Sequence, residues 1–144
     1  MSTKSEGSTI IPALRYRNAA AAIEWLCEAF GFEKKLVEPG EGNAIMHAEL
    51  TLGGGMVMIG SVAKDDFGAL MKQPDEVGGA ETQRPYVVVA DIAGHYARAK
   101  AAGAKIVDEL EKKEYGGSAY SCRDLEEHHW YFGSYDPWDG GVGA

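Results

Sequence analysis

Four histidines, His47, His95, His128 and His129, carry the side chains that ordinarily titrate nearest neutrality. His47 and Glu49 are two apart in a run that alternates apolar and polar residues, which predicts a strand carrying both on one face. An imidazole beside a carboxylate can supply two ligands of a divalent ion. His129 and Tyr131 repeat the spacing near the other end of the chain, and His129 with Tyr131 or Glu49 is a candidate acid–base pair. His47, Glu49 and His129 together would make a metal site. The plainer reading is that they are solvated or hydrogen-bonded on strands. His95 in a helical pattern and His128 at a turn read as surface residues.

Arg15 lies on an alternating stretch, and its guanidinium is a fork of donors matched to a carboxylate. That carboxylate belongs either to a ligand or to Glu49. Met58, Tyr120 and Tyr131 add apolar and aromatic surface. Arg15, His47, Glu49, Met58, Tyr120, His129 and Tyr131 are therefore the candidate ligand-binding residues, an aromatic pocket with a few polar groups. The competing reading is that they fill a core or a dimer seam. Cys27 and Cys122 form no CxxC pair and no zinc-ligand spacing. Cys27 fits an apolar helix face, and nothing near Cys122 in sequence would activate its thiol.

The elements that position these residues come twice. Pro12 and Pro85 are 73 residues apart, as are Asn18 and Asp91, and Gly60-Ser61 and Gly133-Ser134. Such self-similarity decides architecture before any local propensity does. In each copy a strand leads into a helix N-cap, Asn18 or Asp91, whose short side chain can accept from orphan helix N–H groups. Ile23, Leu26, Cys27 and Phe30 recur at helical spacing; Ile92, Tyr96, Ala99 and Ala102 do so more weakly. Gly31 and Gly103 suit the left-handed position that ends a helix. Three strands follow each glycine: 32–37, 44–52 and 56–61, then 105–110, 118–123 and 129–135. On the first strand, Ile10, Pro12, Leu14 and Tyr16 suit packing under the helix, and Ile11, Ala13, Arg15 and Arg17 the other face. On the last, His129 and Tyr131 share a face, and Trp130 and Phe132 point to the core.

The reading divides the chain into a first βαβββ module over 10–61, a linker or lid over 62–82 and a second module over 83–138. Residues 1–9 and 139–144 read as flexible tails. The 62–82 segment, with Asp65-Asp66, Pro74-Asp75 and Gly78-Gly79, has little period and is long for a plain connection. Hydrophobic residues at 45% and charged residues at 25% over 144 positions are ordinary for a globular chain. The net charge of −8 and the lack of a basic patch argue against nucleic acid and permit a cationic ligand. No apolar run has the length of a membrane span, and the first nine residues are polar, so the expected address is the cytoplasm.

The order β–α–β–β–β, twice, resembles the vicinal-oxygen-chelate superfamily, the glyoxalase, bleomycin-resistance and dioxygenase group. The resemblance covers roughly residues 10 to 138. The stretch Tyr16-Arg17-Asn18-Ala19-Ala20-Ala21-Ala22-Ile23-Glu24-Trp25-Leu26 and His47-Ala48-Glu49-Leu50 look like its first module. Tyr120-Ser121-Cys122-Arg123-Asp124-Leu125-Glu126-Glu127-His128-His129-Trp130-Tyr131-Phe132-Gly133 looks like its closing hairpin, nearest to a bacterial PhnB-like subgroup. The resemblance implies an α+β fold of curved mixed sheets around a cavity, a homodimer, and an arginine for a substrate carboxylate at Arg15. Its metal-binding members take His, Glu or Gln ligands at positions that fall near Ile11, Met58, Pro85 and Tyr131. None of these is an imidazole or carboxylate, so the reading expects no resident cofactor, with a relocated divalent metal as the alternative. The leading function is metal-free binding of a small organic molecule in a dimeric cavity. The alternative is a lyase, isomerase or dioxygenase using a relocated metal or an acid–base pair. A partner-binding domain with a plugged cavity is the third reading.

Overall fold

Asn18 and Asp91 each open a helix. The Asn18 carboxamide oxygen accepts from the Ala21 N–H at 3.1 Å, and the Asp91 carboxylate from Gly94 at 3.1 Å. α1 runs Ala19–Phe30 and α2 Ile92–Ala101. Gly31 ends α1 at φ 87°, and Gly103 follows α2 at φ 97°. The Gly103 and Ala104 N–H groups bond back to Lys100 and Ala99, which satisfies the last carbonyls of α2. These ends lie where the sequence placed them. The computed structural model describes residues 7–63 and 68–139.

Eight strands complete the repeat: β1 Ala13–Tyr16, β2 Glu33–Pro39, β3 Ile45–Leu52, β4 Gly55–Ser61, β5 Tyr86–Val88, β6 Lys105–Lys112, β7 Ser118–Arg123 and β8 His129–Gly133. They form two four-stranded mixed sheets, ordered β1-β4-β3-β2 and β5-β8-β7-β6. In each sheet the first strand pairs parallel with the last and the other pairs are antiparallel. This is the α+β fold of twinned βαβββ modules. β1 and β5 are short, because only Ala13–Tyr16 and Tyr86–Val88 find ladder partners, and Ile10, expected under the helix, lies before β1 and is exposed. Register shifts in β2–β3 and β6–β7 add local bends, as bulges do.

The repeat anchors carry equivalent bonds. Met58 donates its N–H to the Pro12 carbonyl at 2.9 Å, and Tyr131 to Pro85 at 3.1 Å. Proline lacks an N–H and is tolerated at the start of an edge strand. The Ser61 hydroxyl accepts from the Ile45 N–H at 2.8 Å, and the Ser134 hydroxyl from Ser118 at 3.0 Å. Each serine thus ties the last strand of its module to the start of the strand beside it.

The chain divides into two compact units. One runs through Met71 except Glu28–Phe30; the other takes Glu28–Phe30 and everything from Lys72. In the first, Tyr16, Ala22, Leu26, Ala48, Leu50, Val57 and Ile59 are buried. In the second, Phe30, Tyr120, Cys122, Trp130 and Phe132 are fully buried, with Phe30 and Phe132 ring centroids 4.7 Å apart. The 62–82 segment, read as linker or lid, contributes short 3-10 turns at Gly68–Leu70 and Pro74–Val77, with Gln73 and Pro74 buried. Its Asp65-Asp66 pair lies outside the described residues, as do residues 1–6 and 140–144 of the expected flexible tails. Among the described residues no helix is long and apolar enough to cross a membrane.

Candidate functional site

Period-two alternation gives each sheet one buried face and one open face. On the open face of the first sheet, Ala13, Met58, Glu49 and Leu36 stand in one cross-strand row. Arg15 lies opposite Gly60, and its Nη1 donates to the Ser61 carbonyl at 3.2 Å. His47 Nε2 and Glu49 Oε2 are 3.0 Å apart, both half-buried. The carboxylate accepts from Nε2–H, which leaves Nδ1 of a neutral ring as an acceptor. A groove of about 490 Å³ opens beside the Gly53–Gly55 turn, lined by Ile11, Lys35, Thr51 and Met56 among others.

The open face of the second sheet is built from tyrosines. Tyr86, Tyr131 and Ser121 form one row, and the Tyr86 and Tyr131 rings meet edge-on at 5.0 Å. Tyr115, from the turn between β6 and β7, brings its hydroxyl to 2.5 Å from that of Tyr131. Tyr135 packs edge-on against Tyr115 at 5.0 Å. The Arg84 guanidinium lies over the Tyr131 ring, 4.5 Å from its centroid. Tyr86 donates its hydroxyl to the Tyr135 carbonyl at 2.7 Å. Gly133 makes room for that ring, since a Cβ there would come within 2.5 Å of the Tyr86 hydroxyl. Burial raises the pKa of Tyr86 and Tyr115. Both phenols therefore stay protonated and able to donate.

Residues 11–132 match the Glyoxalase/Bleomycin resistance protein/Dioxygenase superfamily. The chain belongs to this superfamily. An uncharacterized protein of Mycobacterium bovis is 30% identical over 122 residues, covering 85% of this chain and 80% of its own length. The crystal structure of TioX from Micromonospora sp. ML1 is similar at a TM-score of 0.70 and 36% identity, over 88% of this chain and 98% of TioX. FosX, a fosfomycin resistance protein of Listeria monocytogenes crystallised with Mn(II) and sulfate, shares the fold at a TM-score of 0.59 and 12% identity, over 88% of each chain.

A superfamily metal does not fit the residues at the positions the sequence resemblance assigned to it. Met58 offers a thioether, and the Tyr131 phenol is hydrogen-bonded to Tyr115. Ile11 and Pro85 offer no side-chain donor. Hard divalent ions prefer carboxylate and imidazole ligands. For the relocated alternative, His47 and Glu49 stand together, and His129 Nε2 is taken up by a bond to the Gly79 carbonyl at 2.8 Å. Among the described residues no group of three His, Cys, Asp or Glu assembles around a common point.

Of the candidate residues, the structure gathers Arg15, His47, Glu49 and Met58 on one open face and places Tyr131 and His129 on the other sheet's. Tyr120 is a correction. It is fully buried on the opposite face from Tyr131, with its hydroxyl 2.7 Å from His95 Nδ1. One residue of register separates the two faces, and Tyr120 pairs with Phe132. His95 and His128 are corrections too. His95 Nε2 donates to the Phe30 carbonyl at 2.9 Å, its ring lies 4.4 Å from Phe132, and burial lowers its pKa. His128 is buried against Glu81, at 2.7 Å. Cys122 is fully buried, and burial pushes its thiol up to about 12, so it stays unreactive.

Sequence reasoning missed Arg84, Tyr86, Tyr115 and Tyr135. Tyr86 was legible in principle, because a parallel β5–β8 pairing seats it beside Tyr131. Tyr115 was not, since its place depends on the path of the turn that carries it.

Proposed function

We propose that this protein binds a small organic molecule against the tyrosine face of its second sheet, as a homodimer and without a divalent metal. The tyrosine cluster carries the reading. Four phenolic rings and a guanidinium stand where the resemblance would have put metal ligands, at Pro85 and Tyr131. Aromatic rings with a few directed polar groups are the usual lining of a small-molecule site. The PhnB-like subgroup of the superfamily goes with this reading. Protein purified without chelator should hold no stoichiometric metal. A thermal-shift screen of aromatic compounds in EDTA should yield ligands whose effect Tyr131→Ala abolishes. Ligands that act only after Ni²⁺, Zn²⁺ or Fe²⁺ is added would overturn the proposal.

One observation favours a second reading, an enzyme. The Glu49 carboxylate holds His47 as a carboxylate orients a general base. That reading predicts turnover of some substrate that His47→Gln removes while ligand binding persists.

A further inference from the structure

We propose that the ligand of the tyrosine face is a planar aromatic anion, its negative oxygen received by Arg84 and by the spare phenolic donor of the Tyr115–Tyr131 pair. The inference rests on the ligand-binding reading above and adds the chemical class.

The donor inventory leads to it. In the Tyr115–Tyr131 pair, 2.5 Å between hydroxyl oxygens, one O–H is spent on the other oxygen. The accepting tyrosine keeps its own O–H, so the pair presents one further donor. Tyr86 offers none, because its O–H goes to the Tyr135 carbonyl. Arg84 Cζ lies over the Tyr131 ring, and no hydrogen bond or ion pair among the described residues takes up its N–H groups, which are left for an acceptor.

The charge setting makes Arg84 informative. The chain has 22 acidic against 14 basic side chains, so carboxylates are plentiful. Arg123 pairs with Glu127, Lys105 with Glu127 and Lys113 with Glu111. Arg84, exposed, rests instead on an aromatic ring, and no carboxylate among the described residues pairs with it. No ion pair holds the guanidinium: the Asp108 carboxylate, in the same cross-strand row, accepts from the Ser121 hydroxyl at 2.6 Å, and Asp136 lies toward Tyr86. A cationic ligand would meet Arg84 in repulsion. A neutral aromatic would leave the donors unmatched. An aryl carboxylate, sulfonate or phenolate satisfies both, with its ring against Tyr115 or the outer face of the guanidinium. Fork geometry at such an oxygen is the strong form of hydrogen bond.

The test uses the full chain and three fluorescent probes of similar size: anionic 8-anilinonaphthalene-1-sulfonate, neutral N-phenyl-1-naphthylamine and cationic acridine orange. The anion should bind with the lowest Kd, and Arg84→Met should weaken it roughly ten- to a hundredfold, the range for a charged hydrogen bond. The double variant Tyr115→Phe/Tyr131→Phe keeps both rings and should weaken the anion severalfold while leaving the neutral probe unchanged. Unchanged melting temperatures would show that the variants fold. Equal binding of the neutral probe, or Arg84→Met binding the anion as tightly as the parent, would overturn the anion assignment and leave the ligand-binding reading standing. If no probe binds and no tyrosine resonance moves, both fall together.

Discussion

Glu81 and His128 are 47 residues apart in sequence and hydrogen-bonded in the fold, Oε2 to Nδ1 at 2.7 Å. The same carboxylate accepts the His129 N–H at 2.9 Å, and His129 Nε2 donates to the Gly79 carbonyl at 2.8 Å. Two adjacent histidines of the closing hairpin therefore hold the stretch that leads into β5, three residues before Arg84. What read as the end of a linker is fastened to the second unit beside the candidate site.

Removing that fastening should have two effects. Burial opposes ionisation of Glu81, but hydrogen bonds from His128 and His129 outweigh it and hold its carboxyl below the ordinary range. A carboxyl with a lowered folded-state pKa stabilises the fold above its unfolded value near 4.5 and loses that contribution as pH falls through the folded value. Glu81→Gln should cost about 2 kcal/mol at pH 7 and flatten the acid limb of the stability curve below roughly pH 4.5. Urea unfolding from pH 3 to 7 measures both.

The hairpin has its own keystone in Asp124, which is buried. Its Oδ1 accepts from the Glu126 and His128 N–H groups at 3.0 Å each, and its Oδ2 from the Trp130 indole at 3.0 Å. Asp124→Ala strands these donors and should cost about 3 kcal/mol in chemical denaturation. Asp124→Asn keeps one acceptor oxygen and should cost less.

Gly60 and Gly133 are repeat partners with different neighbours. A Cβ on Gly60 meets nothing nearer than 3.5 Å, whereas one on Gly133 comes within 2.5 Å of the Tyr86 hydroxyl. Gly60→Ala should be close to neutral in melting temperature. Gly133→Ala should push Tyr86 off its bond to Tyr135 and weaken aromatic-probe binding severalfold.

His95 predicts a response nearer neutrality. Its Nε2–H donates to Phe30, so Nδ1 accepts the Tyr120 O–H, which fixes the neutral tautomer. Burial lowers its pKa from 6.5. A histidine with a lowered folded-state pKa leaves the fold most stable above 6.5 and costs stability as pH falls below that value. Tyr120→Phe leaves Nδ1 without its donor and should cost about 1–2 kcal/mol at pH 8. Stability curves of the parent and Tyr120→Phe from pH 5 to 8 check both statements.

Most of the architecture could be read from the sequence because its signals are local and duplicated. Asn18, Asp91, Gly31 and Gly103 bound the helices through caps formed within a few residues. The Pro and Gly-Ser anchors recur because each module needs the same bonds, Met58 to Pro12 and Tyr131 to Pro85, Ile45 to Ser61 and Ser118 to Ser134. The site was less legible because its contacts are not local. His128 read as exposed until Glu81 arrived from the preceding segment. His95 read as exposed because its partners, Phe30 and Tyr120, lie 65 and 25 residues away. Tyr115 sits in a turn where no periodicity applies.

The central claim is that the tyrosine face binds ligand without metal. Protein carrying ¹³C-labelled tyrosine, treated with EDTA, should be titrated with 8-anilinonaphthalene-1-sulfonate while its assigned ring resonances are followed by NMR. Saturable shifts at Tyr86, Tyr115 and Tyr131, with buried Tyr120 unmoved, are the predicted result. Shifts that spare these three rings, or that appear only when a divalent ion is restored, would contradict it.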